Sequence, residues 1–406
     1  MNTSILLTLI KEQDRSVRDP LWKDIHLSPP LYALYRSREV QKLARIKQLG
    51  PTFGLYPGAV HTRLNHSLGV YHLGRKIIIN LLRTEHAFPF TSEGVQAYLC
   101  ALLLHDIGHF PYAHSLKDVI ATDHETIGAA MIEASPSLTA LIEGCGTTTE
   151  LVCAIIDEER EAPTGEITLY RSILSGALDP DKLDYLNRDA LFCGVPYGMQ
   201  DASYITAKLR IADGAIALEE EAIASVEHLL FSKYLMYRNV YWHPRVRSAT
   251  AMVKKAVVAL LCEGSLAEDE LFGLDDSEFF SLMDKRGDRY ALIEAVRENR
   301  PYSVRYEASV EGVQILSPID RHHKEEAMSR ALGLKAGSII IDIPEPVSFE
   351  ARMPLISTEG TLLDSRETHH LFGKDIQASF TNSLRKLRIF SSEPIDGCAL
   401  ARALEE

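Results

Sequence analysis

No two cysteines in this chain are separated by just two residues. Its six cysteines, Cys100, Cys145, Cys153, Cys193, Cys262 and Cys398, follow no regular spacing. That excludes a zinc ribbon or a CxxC redox motif and argues against a disulfide framework. The thiols are therefore expected to be reduced and mostly buried, in a cytoplasmic protein. An excess of basic residues is lacking too. A net charge of −13 excludes a surface that binds nucleic acid throughout, although a local basic pocket can still be built against that field. The apolar start, Met1 to Ile10, has no basic segment or cleavage site and soon meets Lys11, Glu12 and Asp14. It reads neither as a signal nor as a membrane span. Internal repeats and low-complexity tracts are missing as well.

What is present is an ordinary globular composition. Over 406 residues, 46% are hydrophobic and 24% charged, enough to bury a sizeable core. Helical patterns dominate the first two-thirds. Arg38 to Leu49, Ser67 to Leu82, His124 to Ala134 and Ile173 to Ala190 all read as helices, and Ser92 is expected to cap the helix that runs to His105. Ala224 to Cys262 is too long for one helix, and Pro244 is expected to break or kink it. Pro51 to Ala59 reads as a turn-rich loop, and Thr206 to Leu218 as a β excursion around Asp213-Gly214. Beyond Gly264 the character changes. A helical stretch, Phe279 to Asn299, is followed by β-branched sequence at Val304 to Leu316. The clearest strand is Ser338 to Pro344, and Thr358 to Thr361 reads as a turn between short strands. The expectation is a mainly α protein, with a helical core over residues 1–262 and a small α+β appendage over 263–406.

Four residues carry the chemistry. His66, the adjacent pair His105-Asp106, and Asp181 are metal-ligand types, and His105-Asp106 closes the apolar run Ala97 to Leu104. A set of two imidazoles and two carboxylates suits Zn, Fe, Mn, Co or Ni and leaves positions open for water and substrate. Seven of the fifteen histidines fall between His66 and His124. Asp179, Asp181, Asp184 and Asp189 crowd one segment. They read either as a solvated acidic helix face with an Asp184–Arg188 pair or as part of a partly buried site. His322-His323 and His369-His370 read as solvated surface pairs rather than as a second metal site.

His66, then Leu104-His105-Asp106-Ile107-Gly108-His109, then Asp181 resembles the H…HD…D signature of the HD-domain metallophosphohydrolases. Arg45 to Gly50, Tyr56 to Ala59, His61 to Val70 and Asp181 to Asp189 resemble one branch of it. That branch is the deoxynucleoside triphosphate triphosphohydrolases, which include the dGTPases and the sterile-alpha-motif HD-domain enzymes. The resemblance runs from about Asp19 to Val253 and implies an HD-domain helical core. It implies that His66, His105, Asp106 and Asp181 hold one divalent transition metal, with Mg admitted alongside the nucleotide. Arg63 and Lys182 would grip phosphate oxygens, as would Lys233 on a looser alignment. Tyr185, Asp189 and Tyr241 would lie along the nucleotide, Gln48 and Leu49 would line sugar and base, and His109, His114 and His124 would surround the scissile phosphate. The implied partners are a deoxynucleoside triphosphate, a nucleotide effector and further copies of the chain. Nucleic-acid binding by the appendage stays open, and no membrane is implied.

Three positions depart from the pattern. Lys117 stands where relatives carry an acidic residue to support the histidine at His114, which leaves that task to Asp118 or to the pair His124-Glu125. Phe110 replaces a glycine, and Asn65 replaces a glutamate. These departures keep two other readings open: a hydrolase of another nucleotide, and a nucleotide sensor without catalysis.

Overall fold

The computed structural model describes residues 2–11, 14–311, 313–347, 354–357, 359–363 and 374–405. The chain is mainly α-helical with small sheets. Seven helices position or flank the site: α1 (Arg63–Thr84), α2 (Ser92–Leu104), α3 (His124–Glu133), α4 (Gly165–Leu174), α5 (Pro180–Cys193), α6 (Ile223–Met236) and α7 (Pro244–Cys262). The strands are β1 (Arg15–Asp19), β2 (Lys23–Leu27), β3 (Leu209–Ala212), β4 (Ala215–Glu219), β5 (Ser303–Ser309), β6 (Ile339–Asp342), β7 (Leu355–Ile356), β8 (Leu362–Leu363) and β9 (Lys386–Ser391).

Helix α2 is the central rod. Its residues from Ala97 to Leu104 are all buried, and α1 packs along it. Its cap is Thr91, one residue before the expected Ser92. The Thr91 hydroxyl accepts from Gly94 N at 2.9 Å, and buried Glu166 receives the Thr91 N–H and hydroxyl. Helix α1 starts on a reciprocal cap, in which Thr62 accepts from Asn65 N and the Asn65 amide oxygen accepts from Thr62 N at 3.0 Å. The departure at Asn65 therefore serves the helix start.

Several expected helices are shorter than their periodicity suggests. Ile173 to Ala190 is not continuous: α4 ends at Leu174 and α5 begins at Pro180. Asp179 precedes a proline, which disfavours the helical backbone, and its carboxylate caps Lys182 N at 2.6 Å. Arg38 to Leu49 is helical only to Lys42, followed by a 3-10 turn, Leu43–Arg45. The stretch from Phe279 to Asn299 divides into Asp276–Arg286 and Leu292–Arg297, because Gly287 at φ 80° ends the first helix. The break before Pro244 is as expected. Pro244 opens α7, and a π turn, Tyr237–Tyr241, closes the preceding helix.

Among the described residues there are three small sheets. β1 and β2 form an antiparallel pair. β3 and β4 form the expected hairpin, and both turn residues have positive φ (Asp213 50°, Gly214 77°), as a tight hairpin turn requires. β4 continues in parallel to β7, which pairs antiparallel with β8. Glu359 to Thr361 lie between β7 and β8 as expected, while Thr358, like His369-His370, lies outside the described residues. The third sheet, ordered β5-β9-β6, is antiparallel throughout. A second apolar cluster joins Phe110, Leu116 and Ile120 to Met252, Val253 and Val257 of α7, and to Ile340 and Phe390 of the third sheet. The turn that carries His114 thus rests on α7. No single helix among the described residues is long and apolar enough to cross a membrane. Four cysteines are buried, whereas Cys262 and Cys398 are exposed.

Candidate metal centre

Three helices converge on the predicted ligands. His66 sits in the first turns of α1, His105-Asp106 follow the last turn of α2, and Asp181 lies in the first turn of α5. One donor atom each from His66, His105 and Asp181 lie within 4.8 Å of one another. Asp106 stands beside them, with its Oδ1 at 3.4 Å from His105 Nε2, and it groups as well with His109 and His124.

The imidazoles are held in the tautomer a ligand needs. His105 Nδ1 donates to the carbonyl of Leu102 at 3.0 Å, which leaves Nε2 buried without a hydrogen-bond partner. His66 Nδ1 donates to Asp184 Oδ2 at 2.8 Å, and its Nε2 lies 2.8 Å from Asp181 Oδ1. Burial alone would raise the Asp184 carboxyl, but Arg188 and His66 outweigh it and hold it down at about 2. The same surroundings act on His66. Burial disfavours its proton, but Asp181 and Asp184 hold that proton up to about 10. A metal ion takes the place of such a proton when imidazole and carboxylate become ligands. An orphaned buried nitrogen, a fixed tautomer and two converging carboxylates fit a divalent transition metal.

Asp184 is neither solvated nor at the surface. It is fully buried, accepts from Arg188 Nε at 2.8 Å and from Trp22 Nε1, and Arg188 reaches Asp19 at 2.8 Å. This overturns the reading of the Asp184–Arg188 pair as an exposed helix face. Asp19 and Trp22 were not singled out by residue type, since their contacts with Arg188 and Asp184 span more than 160 positions. Gly69 makes the contact feasible, because a Cβ there would lie 1.8 Å from Asp184 Oδ1.

Around this centre the structure gathers most of the other predicted residues. Arg63 Nη1 donates to Asp106 Oδ2 at 2.8 Å, and its Nε has no partner. His109 and His114 meet at 3.2 Å, the His109 and His124 rings are 3.8 Å apart, and His124 Nδ1 lies 3.0 Å from Glu125 Oε2. His114 is lowered to about 3 by burial first, then by Arg63 and His124. Lys117 is exposed and pairs with Asp123 at 3.1 Å, so it plays no part in that shift. Asp118 does not support His114 either, since it pairs with Lys254 and lies 3.8 Å from Arg321. Phe110 packs toward Phe272 in the second cluster. It also borders a cavity of only about 20 Å³ with His114 and His124.

On the far side, Tyr241 donates to Asp189 Oδ2 at 2.6 Å and His61 donates to Asp189 Oδ1 at 2.7 Å. Tyr185 lies 6.5 Å from Tyr241, ring to ring. Gln48 N donates to the His61 carbonyl, and the Gln48 side-chain oxygen is buried without a partner. Leu49 packs on the main core. Lys182 is engaged by Asp179 and by the Gly176 carbonyl at 2.9 Å, so it does not point free into the site. Lys233 is lowered to about 8 by burial and by Lys182, opposed by Asp179 and Asp181, which places it near the same carboxylates. His61 was not predicted as a site residue.

Residues 63–193 match the HD domain family, and residues 200–379 match the HD associated region. The chain belongs to the HD-domain superfamily. YwfO of Bacillus subtilis, described as uncharacterized, is 33% identical over 245 residues, which are 60% of this chain and 55% of YwfO. The deoxynucleoside triphosphate triphosphohydrolase SAMHD1 of Gallus gallus is 23% identical over 70% of this chain and 49% of its own length. The HD chain thus spans about half the length of these curated relatives. A phosphohydrolase structure from Bacteroides thetaiotaomicron shares the fold, with a TM-score of 0.74 and 24% identity over 93% of this chain and 100% of that one.

Proposed function

We propose that this HD protein is a metal-dependent nucleotide phosphohydrolase. Its substrate is a deoxynucleoside triphosphate, which it converts with water to a deoxynucleoside and tripolyphosphate. The observation that carries the reading is the convergence of His66, His105 and Asp181, with Asp106 beside them and both imidazoles presenting Nε2. The sequence similarity to SAMHD1 supports the triphosphate substrate.

A bound divalent metal supplies a water of lowered pKa and a Lewis acid at the phosphoryl oxygen. The chain's own residues do the rest. Arg63, held by Asp106, presents its unpartnered Nε to the phosphate, where a guanidinium matches charge that spreads over the oxygens in the transition state. His109, His114 and His124 enclose the same space. His124, paired with Glu125, is placed to give a proton to the departing 5′-oxygen. Asp189, fixed by His61 and Tyr241, offers acceptors to the sugar beside Tyr185. Phosphate and sugar are thereby oriented from opposite sides.

The test is a product screen with metal-loaded protein and each deoxynucleoside triphosphate, alone and mixed. Tripolyphosphate and deoxynucleoside are expected, and their loss in Asp106→Ala ties the turnover to this site. Orthophosphate or a mononucleotide as the product would replace the substrate assignment. Intact nucleotide under every metal would overturn the enzyme reading.

A further inference from the structure

The larger cavity lies away from the metal centre. It measures about 370 Å³, within the range of roughly 300 to 1,000 Å³ typical of small-ligand sites. Its walls are the C-terminal end of α7 (Ala259, Cys262, Glu263) and one face of the helix Pro318–Ala331, here α8, with Arg289 between them. The His322-His323 pair falls in this wall, and it is not the solvated surface pair expected from the sequence, because His323 is exposed but His322 is buried.

The charges in the cavity are unevenly committed. Glu263 is taken up by Arg289, and Glu326 by Lys255 at 3.0 Å and by the Gly337 N–H. Arg330 and His323 have no such carboxylate among the described residues. His322 is only 6% exposed, and its Nδ1 has no hydrogen-bond partner. Burial keeps that imidazole neutral, down to about 4, with Lys255 and Arg289 adding to the effect. The uncommitted guanidinium donates, and a neutral imidazole donates through one ring nitrogen while the other accepts. No three metal-ligating atoms in this wall converge within 4.8 Å, and two guanidinium groups oppose a cation. The chemistry therefore favours an anion whose oxygens accept from Arg330, His322 and His323.

We propose that this cavity binds a small phosphate-bearing anion, through Arg330 and the His322-His323 pair. The helix that carries the pair is tied to the active-site turn, since Arg321, beside His322, lies 3.8 Å from Asp118.

Cys262 is an exposed thiol in the cavity wall and gives a local readout that does not depend on turnover. Full-length protein carrying Cys398→Ser is alkylated with iodoacetamide, and modification of Cys262 is followed by mass spectrometry. Orthophosphate, tripolyphosphate and a nucleoside 5′-monophosphate are added separately at matched ionic strength. Saturable slowing of at least fivefold by tripolyphosphate or the monophosphate is expected, with half-saturation at least tenfold weaker in Arg330→Glu and in His322→Ala. Protection by tripolyphosphate alone would assign the site to a phosphate chain, and protection by the monophosphate alone to a nucleotide; both support it. Equal slowing by sodium chloride, slowing by Zn(II) but by no phosphate, or slowing unchanged in Arg330→Glu would overturn it. Because no hydrolysis is read, a negative result here is separate from failure of the phosphohydrolase reading.

Discussion

Asp184 never meets the metal position itself, yet it fixes the tautomer and aim of His66. A carboxylate that holds a ligand imidazole in this way is worth about 10- to 100-fold in metal affinity. Asp184→Asn keeps the side-chain shape and leaves Arg188 its contact with Asp19. It is expected to weaken metal binding by that factor, measured by titration against a competing chelator; unchanged affinity would remove Asp184 from the site. Arg188→Met strands two buried carboxylates and should cost about 3 to 5 kcal/mol of stability in denaturant unfolding. Proton transfer separates along the same lines. Lys117 lines the small cavity with His114 and His124 but is exposed and paired with Asp123, whereas His124 packs on His109 and is paired with Glu125. Lys117→Ala should leave kcat within about twofold, as for other surface changes. His124→Ala should lower it by about 10²- to 10⁴-fold. A loss in Lys117→Ala matching that of His124→Ala would reassign the proton donor.

At the scale of elements, the amino-acid order marked the residues that cluster as candidate ligands better than it marked the helix breaks. The apolar run into His105-Asp106, the Asp213-Gly214 hairpin and the stop at Pro244 were legible because each is a local rule of burial, positive φ or missing N–H. The gap between α4 and α5 was not, because the periodicity continues across it and only the Asp179-Pro180 pair marks the restart. In the Asp19–Arg188–Asp184–His66 chain only the Asp184–Arg188 pair was legible, since the links to Asp19 and His66 join residues whose proximity exists only after folding. Helix α1 shows how such distant packing becomes measurable. His72 stacks on Trp22 at 5.8 Å, and Trp22 in turn donates to Asp184. Burial, then Lys76 and Arg75, lowers His72 from 6.5 to about 4. The unfolded chain therefore binds this proton first, so the stability His72 contributes is intact above pH 6.5 and lost as pH falls toward 4. His72→Phe keeps a stacking ring and removes the proton site. Its midpoint temperature is expected to fall less steeply than that of the unsubstituted protein between pH 6.5 and 4; identical slopes would place the acid sensitivity elsewhere.

For the whole molecule, the candidate metal centre would act as a clasp across the chain's long-range contacts. α1, the end of α2 and the start of α5 each supply candidate ligands, and no unfolded chain holds them together. An ion that binds only the folded state stabilises it by mass action, about 2.7 kcal/mol when its concentration is 100 times its dissociation constant. Metal addition should therefore raise the midpoint of thermal unfolding, and a chelator should reverse the rise. Asp181 allows this effect to be separated from damage to the fold. Its side chain is 39% exposed, unlike that of His66, which is 2% exposed between two carboxylates. Asp181→Ala removes a candidate ligand without opening a buried cavity, but it also takes away one of the two carboxylates that hold the His66 proton, so the metal-free protein should unfold below the unsubstituted one while the metal-dependent rise disappears. A rise that survives in Asp181→Ala would place the stabilising ion at another site, such as the neighbouring group of Asp106, His109 and His124. No rise in either protein, with metal binding verified independently, would mean that the unfolded chain binds the ion as tightly as the folded one does.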